Sequence, residues 1–349
     1  MNNIDPILRS DLERIREIFP HWEALAGRSV LITGATGLVG SMLVRTLCAA
    51  PVPIHVIAHV RNLQKARAMF GDLPISYCLG DVTAPVEFDG AVDYILHTAS
   101  VTASKTFVTQ PVQTLLTAID GTKNLLEFAR EKAVRGMVYV SSMEAYGITD
   151  PALERVTEQD LGYIDILSVR SSYSEGKRIC ECLCAAYALE YGVPVKIARL
   201  AQTFGAGVSA ADGRVFAQFT RSCLEGRDII LHTAGKSMGN YCYTADAVRG
   251  LLTVLLRGET ANAYTVVNPT TSMPIREVAQ LVSDTLTDGK TKIIFDIPES
   301  AYLYGYAPDV TMRLSADKLM ALGWQPEVDL PEMFRRLAAS FRYQRGERL

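Results

Sequence analysis

A chain of 349 residues with 48% hydrophobic and 21% charged side chains can bury a large core, as one α/β unit or as two closely associated lobes. A net charge of −3 without any lysine or arginine run offers no footprint for nucleic acid or for an anionic membrane surface. The polar N-terminus has no apolar signal core and no apolar run is long enough to cross a bilayer, so a cytoplasmic protein is expected.

In chain order, residues 5–19 read as an amphipathic helix stopped by Pro20. Apolar strands then alternate with helical periodicity, at 30–33, 54–60, 76–79, 94–97, 137–141 and 195–199, with long helices over 112–132 and 173–191. That alternation predicts a doubly wound parallel sheet of the Rossmann type. Beyond residue 202 the pattern becomes mixed, with glycine- and proline-bearing loops between helices, which suits a smaller C-terminal α/β substrate lobe. The expected division is a helical extension over 1–27, a dinucleotide-binding domain over 28–201 and a substrate lobe over 202–349, with some chain crossing between lobes.

The first strand runs into Gly34-Ala35-Thr36-Gly37-Leu38-Val39-Gly40 and then into an amphipathic helix. Gly34 permits a tight turn off the strand, Gly37 lets backbone approach a pyrophosphate, and Gly40 lets the helix pack close to the sheet, with the helix N-terminus facing the phosphates. The end of the second strand selects the dinucleotide, because a carboxylate there binds the ribose 2′-hydroxyl of NAD whereas arginine accommodates the 2′-phosphate of NADP. This chain reads His59-Val60-Arg61-Asn62, so NAD and NADP both stay open.

The strand over 137–141 ends in Ser141-Ser142, followed by Glu144. Tyr173 and Lys177 then stand four residues apart on one helix face, where an ammonium is expected to favour the phenolate. The cysteines at 180, 182 and 184 lie in that helix, where residues two apart diverge, and the five histidines show no ligand spacing, so no metal site is expected.

With the glycine turn, Ser142 and the Tyr173-Ser174-Glu175-Gly176-Lys177 segment, the chain resembles the extended short-chain dehydrogenase/reductase family, in its branch of nucleotide-sugar epimerases, dehydratases and decarboxylases. The resemblance extends over about 28–336. Arg170-Ser171-Ser172-Tyr173 through Arg178, and then Asp212-Gly213-Arg214-Val215-Phe216, are similar to the UDP-glucuronate decarboxylases in particular. The resemblance implies catalytic Ser142, Glu144, Tyr173 and Lys177. It also implies Asp81 and Val82 beside the adenine, Thr98, Ala99, Ser100 and Leu200 along the dinucleotide, and Gln202, Arg214 and Tyr241 toward a nucleotide-sugar substrate. A homodimer formed by pairing the helices over 112–132 and 173–191 as a four-helix bundle is implied as well.

Three positions depart from the family's pattern. Met238-Gly239-Asn240-Tyr241 stands where an arginine usually meets the substrate's anion, Tyr306 replaces a second arginine near Pro308-Asp309, and Gln202 replaces an asparagine. Arg214, Arg313 or Lys236 would have to substitute. Three other readings stay open on the sequence, an NADPH-dependent reductase of a carbonyl substrate, a non-catalytic dinucleotide-binding sensor and a plain 4-epimerase.

Overall fold

A computed structural model describes residues 4–297 and 309–347. The customary arginine position at Tyr306, with Pro308, lies outside the described residues.

Seven parallel strands form the central sheet: β1 (Ser29–Thr33), β2 (His55–Val60), β3 (Ile75–Leu79), β4 (Tyr94–His97), β5 (Gly136–Ser142), β6 (Val195–Leu200) and, later in the chain, β11 (Ala263–Val266). Their spatial order is β3-β2-β1-β4-β5-β6-β11, so the direction of winding reverses between β1 and β4. In such sheets, the crevice outside the carboxyl ends of the strands at the reversal is where ligands bind. The expected doubly wound sheet is therefore present, with its seventh strand drawn from beyond residue 202.

Continuous apolar runs form these strands because both faces are covered. Val30, Ile32, Val56, Ala58, Leu96, Val138 and Ala198 face one core, while Leu31, Ile57, Ile95, Met137, Val195 and Ile197 face the other. The first core takes α1 (Pro6–Ile18), α2 (Leu38–Cys48), α3 (Leu63–Phe70) and α8 (Thr244–Arg257). The second lies under α5 (Pro111–Glu131) and α6 (Ser172–Tyr191), which pack along each other, with the one-turn-and-a-half helix α4 (Ser104–Thr109) at their end.

The rest of the chain builds three two-stranded pieces: β7 (Gln202–Phe204) with β10 (Tyr241–Tyr243), β9 (Met238–Gly239) with β12 (Met273–Pro274), and β8 (Ile229–Leu231) with β13 (Ile293–Phe295). Helices α7 (Val215–Leu224), α9 (Ile275–Thr287) and α11 (Leu330–Gln344) pack on one another beside them, and the single turn α10 (Asp317–Met320) lies against β11. The N-terminal helix is anchored to this part. Asp5 caps α1 and accepts a hydrogen bond from Ser340, and Asp11 accepts from the Tyr243 hydroxyl at 2.6 Å and from Arg336 at 2.9 Å. Burial pushes the Asp11 carboxyl up to about 6 against the pull of these two partners.

The end of β4 is tied to the end of β1 by a buried histidine. His97 Nδ1 lies 2.7 Å from Thr33 Oγ1, and burial, reinforced by the charge of Lys177, drives its ring down to about 3. A histidine whose folded value is depressed takes up a proton only on unfolding between pH 6.5 and about 3, so its contribution to stability falls as pH drops through that window. Replacing His97 by Gln should therefore reduce the stability lost between pH 7 and pH 5 by about 2 kcal/mol. Urea unfolding at the two pH values checks this, and an unchanged loss would show that other groups govern the acid limb.

Candidate functional site

The turn after β1 is built from close backbone contacts. Gly34 has φ +61°, and a Cβ on it would lie 2.8 Å from the backbone of Ala99. A Cβ on Gly40 would lie 2.2 Å from the Gly34 carbonyl oxygen. Side chains at these positions would separate β1, α2 and the chain after β4, which is the physical need behind the spacing. Gly37 is the N-cap residue of α2 and brings no capping side chain, so the first-turn amides at Leu38, Val39 and Gly40 are left to an anion. Thr36, Leu38 and Val39 are half-buried around this turn. Thr98 donates its hydroxyl to the Thr33 carbonyl at 2.6 Å, and the Ala99 amide donates to Thr33 Oγ1 at 3.2 Å, which sets the next loop against the same turn. Ser100, half-buried, follows on that loop. These features fit a dinucleotide pyrophosphate.

The neighbouring loops are as ordered. The Asn62 side chain caps α3 by accepting from the Lys65 amide at 2.8 Å. Asp81 accepts from the Thr83 amide and hydroxyl, and these bonds hold its carboxyl below the usual range. Val82 is buried against Gly121 of α5. Arg61 is 78% exposed and 3.5 Å from Asp81, a loose surface pair, while His59 at the end of β2 is buried.

Ser142 ends β5, and its hydroxyl accepts the Glu144 amide at 3.2 Å in the single turn that follows. Tyr173, in the first turn of α6, stacks on Phe107 of α4 at 4.3 Å with the rings 10° from parallel. Lys177 is buried one turn along, where its ammonium donates to the Val140 carbonyl at 2.8 Å and stands 5.0 Å from the Tyr139 ring and 5.6 Å from the Tyr173 ring. Desolvation brings Lys177 down to about 8. Below Lys177, Glu181 is forked by Arg199 and takes the Ser141 hydroxyl, fixing α6 against β5 and β6.

Proton affinity at Tyr173 differs from the sequence expectation. Burial and then the Glu144 carboxylate push the phenol well above its ordinary value, while a hydrogen bond from Ser142 and the charges of Arg170 and Arg214 pull the other way.

Glu144 is held by groups that the sequence reading gave no role. Both terminal nitrogens of Arg170 donate to its two oxygens, at 2.9 and 3.0 Å, and the Ser174 hydroxyl donates to one of them at 3.1 Å. The Arg170 guanidinium also stands over the Phe107 ring at 4.8 Å. Arg170, Tyr173 and Ser174 are spaced by three and four residues, which is the one local signal that they share a face. Phe107 gives no such signal, since it arrives from a separate helix.

The substrate positions divide. Arg214, at the N-cap of α7, pairs with Asp212 at 2.7 Å, and its charge acts on Tyr173. Gln202 is exposed at the start of β7, and Leu200 is buried at the end of β6. Tyr241 is 1% exposed and packs edge-on to Phe204. Asn240, near the missing arginine, is likewise internal. It donates to the Met312 carbonyl and accepts from Ser272 and the Leu314 amide. Lys236 and Arg313 are exposed. Cys180 and Cys184 are buried on one face of α6, while Cys182 is exposed.

Comparison with known proteins finds a match over residues 30–268 to the NAD dependent epimerase/dehydratase family. UDP-glucuronic acid decarboxylase 6 of Arabidopsis thaliana is 29% identical over 321 residues, covering 91% of this chain and 90% of the relative. UDP-glucuronic acid decarboxylase 1 of Danio rerio is 31% identical over 311 residues, covering 87% and 70%. Among solved structures, UDP-glucose 4-epimerase of Thermotoga maritima superposes with a TM-score of 0.76 at 21% identity over 90% of this chain and 99% of that one, a likeness of fold.

Proposed function

The chain belongs to the NAD dependent epimerase/dehydratase family, and on that premise we propose that it converts a nucleotide sugar through a transient 4-keto sugar, with UDP-glucuronate the substrate to be tried first. The observation that carries this reading is the grouping of Ser142, Glu144, Tyr173 and Lys177 at the carboxyl end of β5, on the sheet whose first turn fits a dinucleotide. The decarboxylase relatives support the choice of sugar. They lend nothing to the carbonyl-reductase or sensor readings.

Gly34, Thr36, Gly37, Leu38, Val39 and Gly40 would hold the pyrophosphate, Asp81 and Val82 would serve the adenine, and Thr98, Ala99, Ser100 and Leu200 would line the remainder. NAD supplies a hydride acceptor and later returns the hydride, so the cycle closes without net redox change. Tyr173 takes the proton of the sugar's 4-hydroxyl as the hydride leaves C4, and Ser142 holds that oxygen. Lys177 binds the nicotinamide ribose. With C4 oxidised, a hexuronate is a β-keto acid: the C5–C6 bond breaks, its electrons pass toward the C4 oxygen, and carbon dioxide departs. The enolate that remains gains a proton at C5, which Glu144 relays from solvent, and so becomes the 4-ketone to which the hydride returns. Arg214 and Gln202 are left to meet the substrate.

The finer assignments follow from position. Arg61, exposed and only loosely paired, gives the NAD site tolerance for the 2′-phosphate of NADP. Ile179, Cys182, Ala186 and Leu189 form an exposed stripe on α6, and Val112 and Leu116 are exposed on α5, which supports a homodimer through a four-helix bundle. Seven free cysteines suit a reducing compartment such as the cytoplasm.

UDP-glucuronate incubated with the NAD-loaded protein should release carbon dioxide. Tyr173→Phe should lower turnover by about 10²–10⁴-fold with the fold intact. Glu144→Gln should still permit the first hydride transfer and so accumulate absorbance near 340 nm that the wild type does not show. A tyrosine variant keeping more than about a tenth of wild-type turnover would remove the general base from this scheme. Arg61→Ala should weaken NADP several-fold and leave NAD unchanged by calorimetry; equal losses would mark Arg61 as a solvated strand-end residue. Light scattering at micromolar concentration should give twice the chain mass, and a monomer would refute the bundle.

A further inference from the structure

Arg170 is a costly residue to place where it is. Its side chain is 14% exposed, and its Nε is buried with no hydrogen-bond partner among the described residues, which is unfavourable for a polar group. The guanidinium is nevertheless fixed, by the fork on Glu144 and by the Phe107 ring that also carries Tyr173. Phe107 is itself anchored, since Ser172 Oγ donates to its carbonyl at 3.0 Å. One cation is thereby joined to the two groups that move protons in the proposed reaction.

We propose that Arg170 is a positioning residue for this reaction: it locks the Glu144 carboxylate in one orientation and balances its negative charge beside the Tyr173 phenol. The inference rests on the reading of Tyr173 and Glu144 given above. A carboxylate close enough to handle the proton at C5 is also close enough to oppose a phenolate at Tyr173, as like charges sharing a site do. The arginine fork resolves that conflict, because it neutralises the carboxylate while keeping both oxygens aimed by two parallel hydrogen bonds. Ser174 adds a third bond and so completes the alignment.

The charged and titratable groups that bear on the phenol are Glu144 from the turn after β5, Arg170 from the turn before α6, Arg214 from the N-cap of α7, Lys177 of its own helix and Tyr139 of β5. From α4 it meets the Phe107 ring, and Lys105 of that helix is exposed. Glu144 raises the proton affinity of Tyr173 and Arg170 lowers it, in keeping with their places.

The test titrates Tyr173 directly in NAD-loaded protein carrying ¹³Cζ-tyrosine, with the resonance assigned through Tyr173→Phe. Arg170→Gln should move the midpoint up and Glu144→Gln should move it down, each by about one pH unit, and the double variant should return near the wild-type value. Arg170→Lys keeps the charge without the fork. It should leave the midpoint within about 0.3 units while lowering kcat on UDP-glucuronate at least about tenfold, with KM little changed. Shifts in the same direction, or no shift, in the two folded glutamine variants would overturn the charge balance, and full kcat in Arg170→Lys would overturn the positioning. If Arg170→Gln fails to fold, Glu144→Gln and Arg170→Lys decide the matter alone. Opposed shifts in a protein that turns over no nucleotide sugar would instead refute the functional reading and leave the charge balance standing.

Discussion

Every group of interest depends on one constraint, that a parallel sheet covered on both faces must send its connections over the helices and return them to the same edge. In this chain the winding reverses between β1 and β4. The loops after β1, β2, β3, β4 and β5 therefore open on one side of the sheet, and α2, which begins there without a capping side chain, turns its first-turn amides toward it. Gly34 and Gly40 matter because this edge is closed by backbone contacts too tight for a Cβ. His97 and Thr33 hold the two central strands level at that point.

Below this edge, the protein keeps cations dry and occupied. Lys177 is given to the Val140 carbonyl, Arg199 to Glu181 and Arg170 to Glu144. Each is paired, as buried charge requires. Only the Arg170 pair stands beside Tyr173, and its carboxylate remains a third exposed, which leaves that pair accessible from the edge where the chemistry is proposed.

The segment over 238–241 has turned inward: Asn240 is a three-way hydrogen-bonded staple and Tyr241 fills the core beside Phe204. Arg170 and Arg214 are the cations whose charge acts on Tyr173. The N-terminal helix is equally integral, because Asp5 and Asp11 tie it to Ser340, Tyr243 and Arg336.

The sequence by itself determined the doubly wound sheet, the glycine turn and the spacing of Tyr173 from Lys177, since each is a local pattern read within a few residues: apolar runs of strand length, glycines where a Cβ cannot fit, and side chains one helical turn apart. Tertiary structure alone decided the rest. The strand Ala263–Val266 joins the sheet through pairing with residues more than sixty positions earlier, which no local window reveals. Tyr241, named only through the family resemblance, packs edge-on to Phe204, a contact between β10 and β7 that no local window reveals. The raised proton affinity of Tyr173, the fork of Arg170 on Glu144 and the stack on Phe107 arise from four segments meeting at one half-buried site, where partial burial and charge at a few ångströms outweigh anything the spacing along one helix could show.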